Sequence, residues 1–194
     1  MKRAMRVIAG SHKGRPLLGP VGSRLRPTSD RVKEALFSIL GSRVQGARFL
    51  DLYAGTGAIG IEALSRGAQR AVFVEPNSAS LQVLQANLNR CGLSQLADVH
   101  ACHDTDFLRR EDLWGPPYDL VYADPPYGHD CEEHLLPSLG CGAMMARDGI
   151  VVLEHATKRS VPPQVGRLTR VRDYRYGDTT LSVYGLQAEG TPTV

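Results

Sequence analysis

From residue 48 onward, short apolar runs alternate with segments of helical spacing, and few architectures accept that alternation. Phe49-Leu-Asp-Leu-Tyr53 reads as a buried strand, followed by a glycine-rich turn and a helix over about 57–66. Arg70–Glu75 is a second strand. The helix after it, about 77–90, carries Leu81, Leu84 and Leu88 on one face and stops at Gly92. Ala97–Ala101 reads as a third strand, Tyr118–Tyr122 as a fourth and Gly149–Glu154 as a fifth. Leu168–Tyr176 and Thr180–Leu186, split by Gly177-Asp178, read as a terminal antiparallel pair. Near-continuous apolar strands between helices imply a parallel sheet covered on both faces. The expected fold is therefore a Rossmann-like α/β domain whose seven-stranded sheet is mostly parallel, with an antiparallel C-terminal strand. A chain of 194 residues holds one such domain and not two.

Ahead of this pattern, residues 5–9 and 16–18 flank a Gly/Lys-rich turn and suggest a small hairpin. Thr28, Ser29 and Asp30 are all suitable N-caps for a helix in which Val32, Ala35, Leu36, Ile39 and Leu40 recur with helical spacing up to Gly41. The expected organisation is a basic hairpin-and-helix extension over 1–41, the α/β domain over 42–187 and a tail over 188–194. Residues 1–33 hold nine basic side chains and one acid, a charge of +8, and the remainder holds 14 basic and 19 acidic residues, a charge of −5. This asymmetry implies a polyanionic partner met from one side. A solvated basic tail is the competing reading.

Composition excludes several classes. The 42% hydrophobic and 22% charged fractions are those of an ordinary soluble globular protein. No apolar run approaches the roughly 20 residues needed to cross a bilayer, and no apolar segment follows the first charges as in a secretory signal. Residues 1–29 lack acids, as a mitochondrial presequence would, but Gly10, Gly14, Pro16, Gly19, Pro20 and Gly22 would break its helix. A cytoplasmic protein is expected, with no membrane contact and a monomeric state. Cys91, Cys102, Cys131 and Cys141 form no CxxC pair. Cys131 lies near His129 and His134, yet nothing supplies a second ligand pair, so reduced thiols and no metal are expected.

Asp51-Leu-Tyr53-Ala-Gly55-Thr56-Gly57-Ala-Ile-Gly60 sits where the first strand turns into a helix, the place where open α/β sheets bind ligands. Gly55, Gly57 and Gly60 match the dinucleotide spacing, and Glu75 stands 20 residues on, suited to the two ribose hydroxyls of an adenosine. Asp51 tips the choice away from NAD. A carboxylate four residues before Gly55 repels a pyrophosphate but accepts a hydrogen bond from the amino group of S-adenosylmethionine. Asp104-Thr105 follows the third strand and is placed to meet the adenine amino group and ring edge. Pro76 and Asn77 either pack on the adenine or cap the next helix. With a cofactor site of this kind the fold becomes that of a class I SAM-dependent methyltransferase.

Asp124-Pro125-Pro126-Tyr127 follows the fourth strand. An arylamine nitrogen is a poor nucleophile because its lone pair is delocalised into the ring. The Asp124 carboxylate and a Pro125 carbonyl can accept both of its N–H bonds and turn the lone pair toward a methyl group. Consecutive prolines fix the backbone and remove its donors there. Tyr127 can stack on a base, worth about 1–3 kcal/mol, and positioning supplies much of the rate.

With both motifs in view, the chain resembles the RsmD family, the 16S ribosomal RNA (guanine-N2)-methyltransferases, over about residues 5–186. The most specific stretches are Met5–Gly10, Leu25–Phe37, Asp51–Gly57, Asp124–Tyr127 and Tyr176–Thr179. The resemblance implies that Gly55, Gly57, Glu75 and Asp104 hold adenosylmethionine and that Asp124–Tyr127 hold a guanine amino group. It implies RNA contacts from Arg6, Lys13, Arg15, Arg26, Thr28 and Arg31, and a 30S particle or assembly intermediate carrying 16S rRNA as substrate. Cys102-His103 departs from the small residue commoner before that Asp. The Tyr176–Thr179 turn borders the base pocket if the resemblance holds there. Competing readings are an adenine-N6 methyltransferase on DNA or RNA, a protein glutamine methyltransferase, an NAD-dependent oxidoreductase, and a non-catalytic RNA-binding assembly factor.

Overall fold

The computed structural model describes residues 5–19, 30–126 and 134–187. It divides into two compact units, residues 1–103 and 104–194.

In the first unit, helix α1 (Asp30–Leu40) turns Val32, Leu36, Phe37 and Leu40 inward, and Phe37 stacks on Phe49 with ring centroids 6.4 Å apart. Strand β1 (Arg48–Leu52), helix α2 (Ala58–Ser65), strand β2 (Arg70–Val74), helix α3 (Ser78–Cys91) and strand β3 (Ala97–His100) follow. β2 lies between β1 and β3, all parallel, with Leu50 opposite Val72 and Val72 opposite Asp98. Phe49, Leu50, Leu52, Val72, Phe73 and Val74 are almost wholly buried. Every residue of α2 is buried, and its sequence, apolar but for Glu62 and Ser65, suits a helix covered on all sides. α3 shows one face only. Leu84 and Leu88 are buried, Leu81 is half-buried, and Gly92 ends the helix at φ +69°.

The hairpin expected at residues 5–18 forms. Arg6 and Pro16 make an antiparallel bridge, the Val7 N–H donates to Arg15 O at 3.0 Å and the Gly14 N–H to Val7 O at 2.8 Å. Residues 5–19 are no solvated tail. The Ile8 and Ala9 N–H groups donate to the two carboxylate oxygens of Glu62 at 2.7 and 2.9 Å. Lys33, 1% exposed, donates to Arg6 O at 2.6 Å and stands 3.4 Å from Glu62. Asn87, fully buried in α3, accepts from the Leu18 N–H and donates to Leu18 O and Thr56 O. Gly10 adopts φ +83°, and a β-carbon there would stand 1.8 Å from Ser65 O. Residues 5–19 are a strap sewn to α2 and α3.

The second unit contains α4 (Asp104–Arg109), β4 (Tyr118–Ala123), α5 (Leu135–Gly140), β5 (Met145–Ala156), β6 (Gln164–Val165), β7 (Leu168–Tyr176) and β8 (Thr179–Leu186). β4 and β5 are parallel, and β5, β8, β7 and β6 follow one another antiparallel. Eight strands are present among the described residues where seven are expected. The additional one is the two-residue β6, which pairs with the start of β7. The fold is mixed α/β with parallel strands joined by helices and an antiparallel C-terminal set. No helix among the described residues is long and apolar enough to cross a membrane.

Candidate active site

The three glycines after β1 answer to three different demands. Gly57 is the N-cap of α2 at φ +77°, with Leu84 3.0 Å from where a β-carbon would sit. Gly60 has ordinary φ, but a β-carbon would stand 2.2 Å from the Phe73 ring, so its absence lets α2 lie on β2. Gly55 at φ +53° has nothing within 4 Å of its missing β-carbon, so the turn is open on that side. Tyr53, between β1 and Gly55, is held at φ +73° while its N–H donates to Val74 O at 3.1 Å. A left-handed bulky residue is costly, by order 1–3 kcal/mol, and persists only where the surroundings impose it.

Two carboxylates brace this turn. Asp51 is 1% exposed and its Oδ2 accepts the Gly60 N–H at 2.9 Å. Burial pushes its carboxyl up to about 7; the Gly60 N–H opposes the shift and the nearby Glu75 charge adds to it. Glu75, just past β2, accepts the Gly55 N–H at 2.8 Å and the Asn77 N–H at 2.7 Å, one on each oxygen. A carboxylate has about four acceptor positions, so Glu75 retains capacity for two hydroxyl donors. Of the two roles open to Asn77, capping is the one formed: its Oδ1 accepts the Ser80 N–H at 3.0 Å, while Pro76 is exposed.

In the second unit, Asp104 opens α4 and is 7% exposed, with Thr105 half-buried beside it. Asp124 and Pro125 come directly after Ala123, the buried last residue of β4; both are half-buried and Pro126 is exposed. The preceding Tyr122 donates its hydroxyl to Glu154 of β5, which braces the end of the strand carrying Asp124. Tyr127 lies outside the described residues, as do Arg26, Thr28, His129 and Cys131. The Tyr176–Thr179 segment is the expected turn, with Gly177 at φ +65°. Of the basic candidates, Arg6, Lys13 and Arg31 are exposed, whereas Arg15 donates to Arg90 O at 2.6 Å near the C-terminus of α3.

Glu62, Lys33 and Asn87 are the residues that sequence reasoning missed. Each is a polar group among core neighbours, and a signal existed for one of them: Glu62 is the single acid in the apolar run Ala58–Ser65.

The first unit suits an adenosine bearing a sulfonium. It offers an open glycine turn, a braced carboxylate after the second strand and a second carboxylate beneath the loop. Adenosylmethionine bound there supplies an electrophilic methyl group. Asp124 and Pro125 could present oxygen acceptors on a backbone stiffened by proline.

A family model described as Conserved hypothetical protein 95 matches residues 5–185. Ribosomal RNA small subunit methyltransferase D of Escherichia coli strain K12 is 31% identical over 188 residues, 96% of this chain and 92% of that one. A solved hypothetical protein of Thermus thermophilus matches with a TM-score of 0.78 at 29% identity, covering 94% of this chain and 99% of its own. The protein SMU.776, solved in complex with SAH, shares the fold at a TM-score of 0.64 and 16% identity, over 80% of this chain and 48% of that one.

Proposed function

This chain belongs to the family described as Conserved hypothetical protein 95, the RsmD family, and from that premise we propose that it transfers a methyl group from S-adenosylmethionine to the exocyclic N2 amino group of a guanine in 16S rRNA. The observation that carries the reading is the pairing of motif and brace: a glycine turn open at Gly55, held by Glu75 and Asp51, in a chain that also carries Asp124-Pro-Pro-Tyr127 after β4. The relative named as a small-subunit rRNA methyltransferase points to the RNA, and a 30S particle or assembly intermediate as its carrier.

Glu75 holds the ribose hydroxyls while its two backbone donors keep it aimed. Asp51 keeps the loop in place through Gly60, and it also meets the cofactor's amino group. Thr56 and the Tyr53 backbone line the same turn, and Asp104 and Thr105 take the adenine edge. Asp124 and the Pro125 carbonyl accept the two N–H bonds of the guanine amine, which frees the nitrogen lone pair for attack. As the N–C bond forms and the methyl–sulfur bond breaks, its electron pair would stay on the sulfur of the departing S-adenosylhomocysteine, the nitrogen gains positive charge, and one of its protons would pass to Asp124. Tyr127 stacks on the base, which must be in a loop or flipped out of its stack to be reached.

The test is methyl transfer from labelled adenosylmethionine to 30S particles lacking the modification, with nucleoside analysis of the product. N2-methylguanosine in the RNA supports the reading. Label on adenine discards the guanine assignment and favours the adenine-N6 alternative, while no transfer despite cofactor binding favours a non-catalytic RNA-binding role. Asp124→Ala should leave cofactor affinity within about twofold and reduce transfer at least 100-fold, in the range of lost positioning. Loss of cofactor binding in that variant removes Asp124 from the assigned role.

A further inference from the structure

The second unit carries a basic cavity that the methyl-transfer chemistry does not use. It has a volume of about 300 Å³ and lies between one face of the C-terminal strands and the segment 157–163. That segment is tied over the face at several points. The Tyr184 hydroxyl donates to Pro162 O at 2.8 Å, Arg170 donates through Nη1 to Val161 O at 2.9 Å, and the Thr180 hydroxyl donates to that of Thr157 at 3.0 Å.

An irregularity in β7 decides which side chains reach the cavity. Residues directly opposite one another in an antiparallel sheet share a face. Arg170 pairs with Tyr184, but the next pair is Arg172 with Val183, so Val171 is an extra residue in the strand, and it is 70% exposed. In an unbroken strand Arg170, Arg172 and Tyr174 would share a face. The bulge shifts the alternation so that Arg170, Asp173 and Arg175 share one instead, opposite Tyr184, Ser182 and Thr180. Thr180 in turn faces His155 of β5. The displaced Arg172 leaves this face, with its guanidinium 5.2 Å from the Tyr174 ring centroid. Bulges that re-aim side chains are concentrated where a surface has work to do.

The resulting wall is cationic. Lys158, Arg159, Arg170 and Arg175 line the cavity against one acid, Asp173. Asp173 is itself engaged, accepting from the Ser182 hydroxyl at 2.7 Å and standing 3.6 Å from Arg170. The Ser182 oxygen also meets His155 Nε2 at 2.7 Å, and that ring's Nδ1 lies 2.9 Å from Ala156 O. Lys158 and Arg175 are exposed, with no partner among the described residues. Val161 is the one apolar side chain in the lining, and its one ring is the His155 imidazole, engaged through both nitrogens. Four cations over one acid call for an anionic group, and Val161 alone cannot grip a hydrocarbon chain, so the lining does not suit a lipid. It suits a backbone phosphodiester of a longer nucleic acid whose bases are bound elsewhere.

We propose that this cavity, with Lys158 and Arg175 as its free donors and Arg170 as its fixed floor, is a second RNA-docking site that holds a backbone phosphate of the substrate rRNA. The proposal rests on the rRNA reading and adds a contact on the C-terminal strands to the strap on the first unit.

The experiment compares the wild type with Lys158→Gln/Arg175→Gln, both changes at exposed positions, by equilibrium binding to 30S particles lacking the modification and to free 16S rRNA across a KCl series. Each phosphate contact contributes about 0.7–0.9 to the slope of log K against log salt. The double variant should lose about tenfold in affinity near 0.1 M salt and show a slope shallower by about 0.7–0.9, with unchanged thermal stability and cofactor affinity. Lys158→Arg/Arg175→Lys, which keeps both charges, should restore the slope. Equal slopes and affinities for the wild type and the Gln pair on both probes overturn the proposal, as does a loss of affinity with no change of slope. A shallower slope in a protein that transfers no methyl group upholds the cavity and fells the enzyme reading. Normal transfer with equal slopes fells the cavity alone.

Discussion

Gly55 and Gly60 stand five residues apart in one motif, yet substitution separates them. Gly60→Ala drives a methyl group into Phe73, which is fully buried in β2 and has nowhere to turn. We expect a stability loss of about 1–3 kcal/mol, the usual cost of overpacking, read from urea unfolding. Gly55→Ala meets no atom and pays only for its left-handed backbone, about 1–2 kcal/mol, but puts a methyl group on the open side of the turn. Titration calorimetry should find adenosylmethionine affinity lowered at least tenfold in Gly55→Ala; wild-type affinity there would remove the cofactor from that side of the turn. Asp51 has a pH signature. Its folded carboxyl, near 7, lies above the ordinary 3.8 because burial disfavours the charge. Between those values the folded state binds more protons than the unfolded one, so the contribution to stability is complete below about pH 4 and is lost as pH rises through 7. Asp51→Asn cannot ionise, and its stability relative to wild type should therefore improve from about pH 4 to pH 7 and level off above that. A flat difference across that range would mean that burial does not raise the Asp51 carboxyl above its ordinary value.

The strap stands or falls with Glu62. This one carboxylate takes two backbone N–H groups from the strap, the Lys33 ammonium and the Arg66 guanidinium at 2.8 Å. Burial holds the Lys33 pKa below the usual lysine value, with Glu62 and Asp30 opposing, so removing the carboxylate strands a cation in the core. Glu62→Ala should cost about 3–5 kcal/mol, as breaking a buried pair does. Hydrogen exchange should show Ile8 and Ala9 unprotected while Val72 and Val74 in β2 stay protected; protected strap amides would shift the anchor to Asn87. Glu62 stands out as the one acid in α2, but its partners were not legible, because a buried salt bridge between residues 33 and 62 leaves no periodic trace. What alternation does record was read within one or two residues, as for β1, β2, β3, β7 and β8. Two six-residue helices escaped, α4 with only Phe107 and Leu108 as apolar signal and α5 with Pro137 inside it. β5 begins at Met145, four residues ahead of the expected Gly149, with Asp148-Gly149 absorbed at a register shift opposite Tyr118–Leu120. At the candidate site the residue types and their places at strand ends were plain. That Glu75 would be held by Gly55 and Asn77, and that Asn77 would serve as a cap, required coordinates.

For the molecule as a whole, the charge division between residues 1–33 and the rest makes binding to a polyanion sensitive to salt. Replacing the exposed Arg6, Lys13 and Arg31 by Gln should flatten the salt slope for rRNA by about 2–3 while adenosylmethionine affinity holds. An unchanged slope would leave those three outside the RNA footprint. The strap has one more property. It is early in the chain, yet its anchors come late: Glu62 is 54 residues beyond Ile8, Asn87 is 69 beyond Leu18 and Arg90 is 75 beyond Arg15. A ribosome adding about 5–20 residues per second takes roughly 4–15 s to cover that last span. During those seconds the basic segment is outside the tunnel or entering it with nothing to fasten to, and it closes only once α2 and α3 exist. Within the first unit synthesis and assembly thus run in opposite orders, the strap being made before the two helices that fix it.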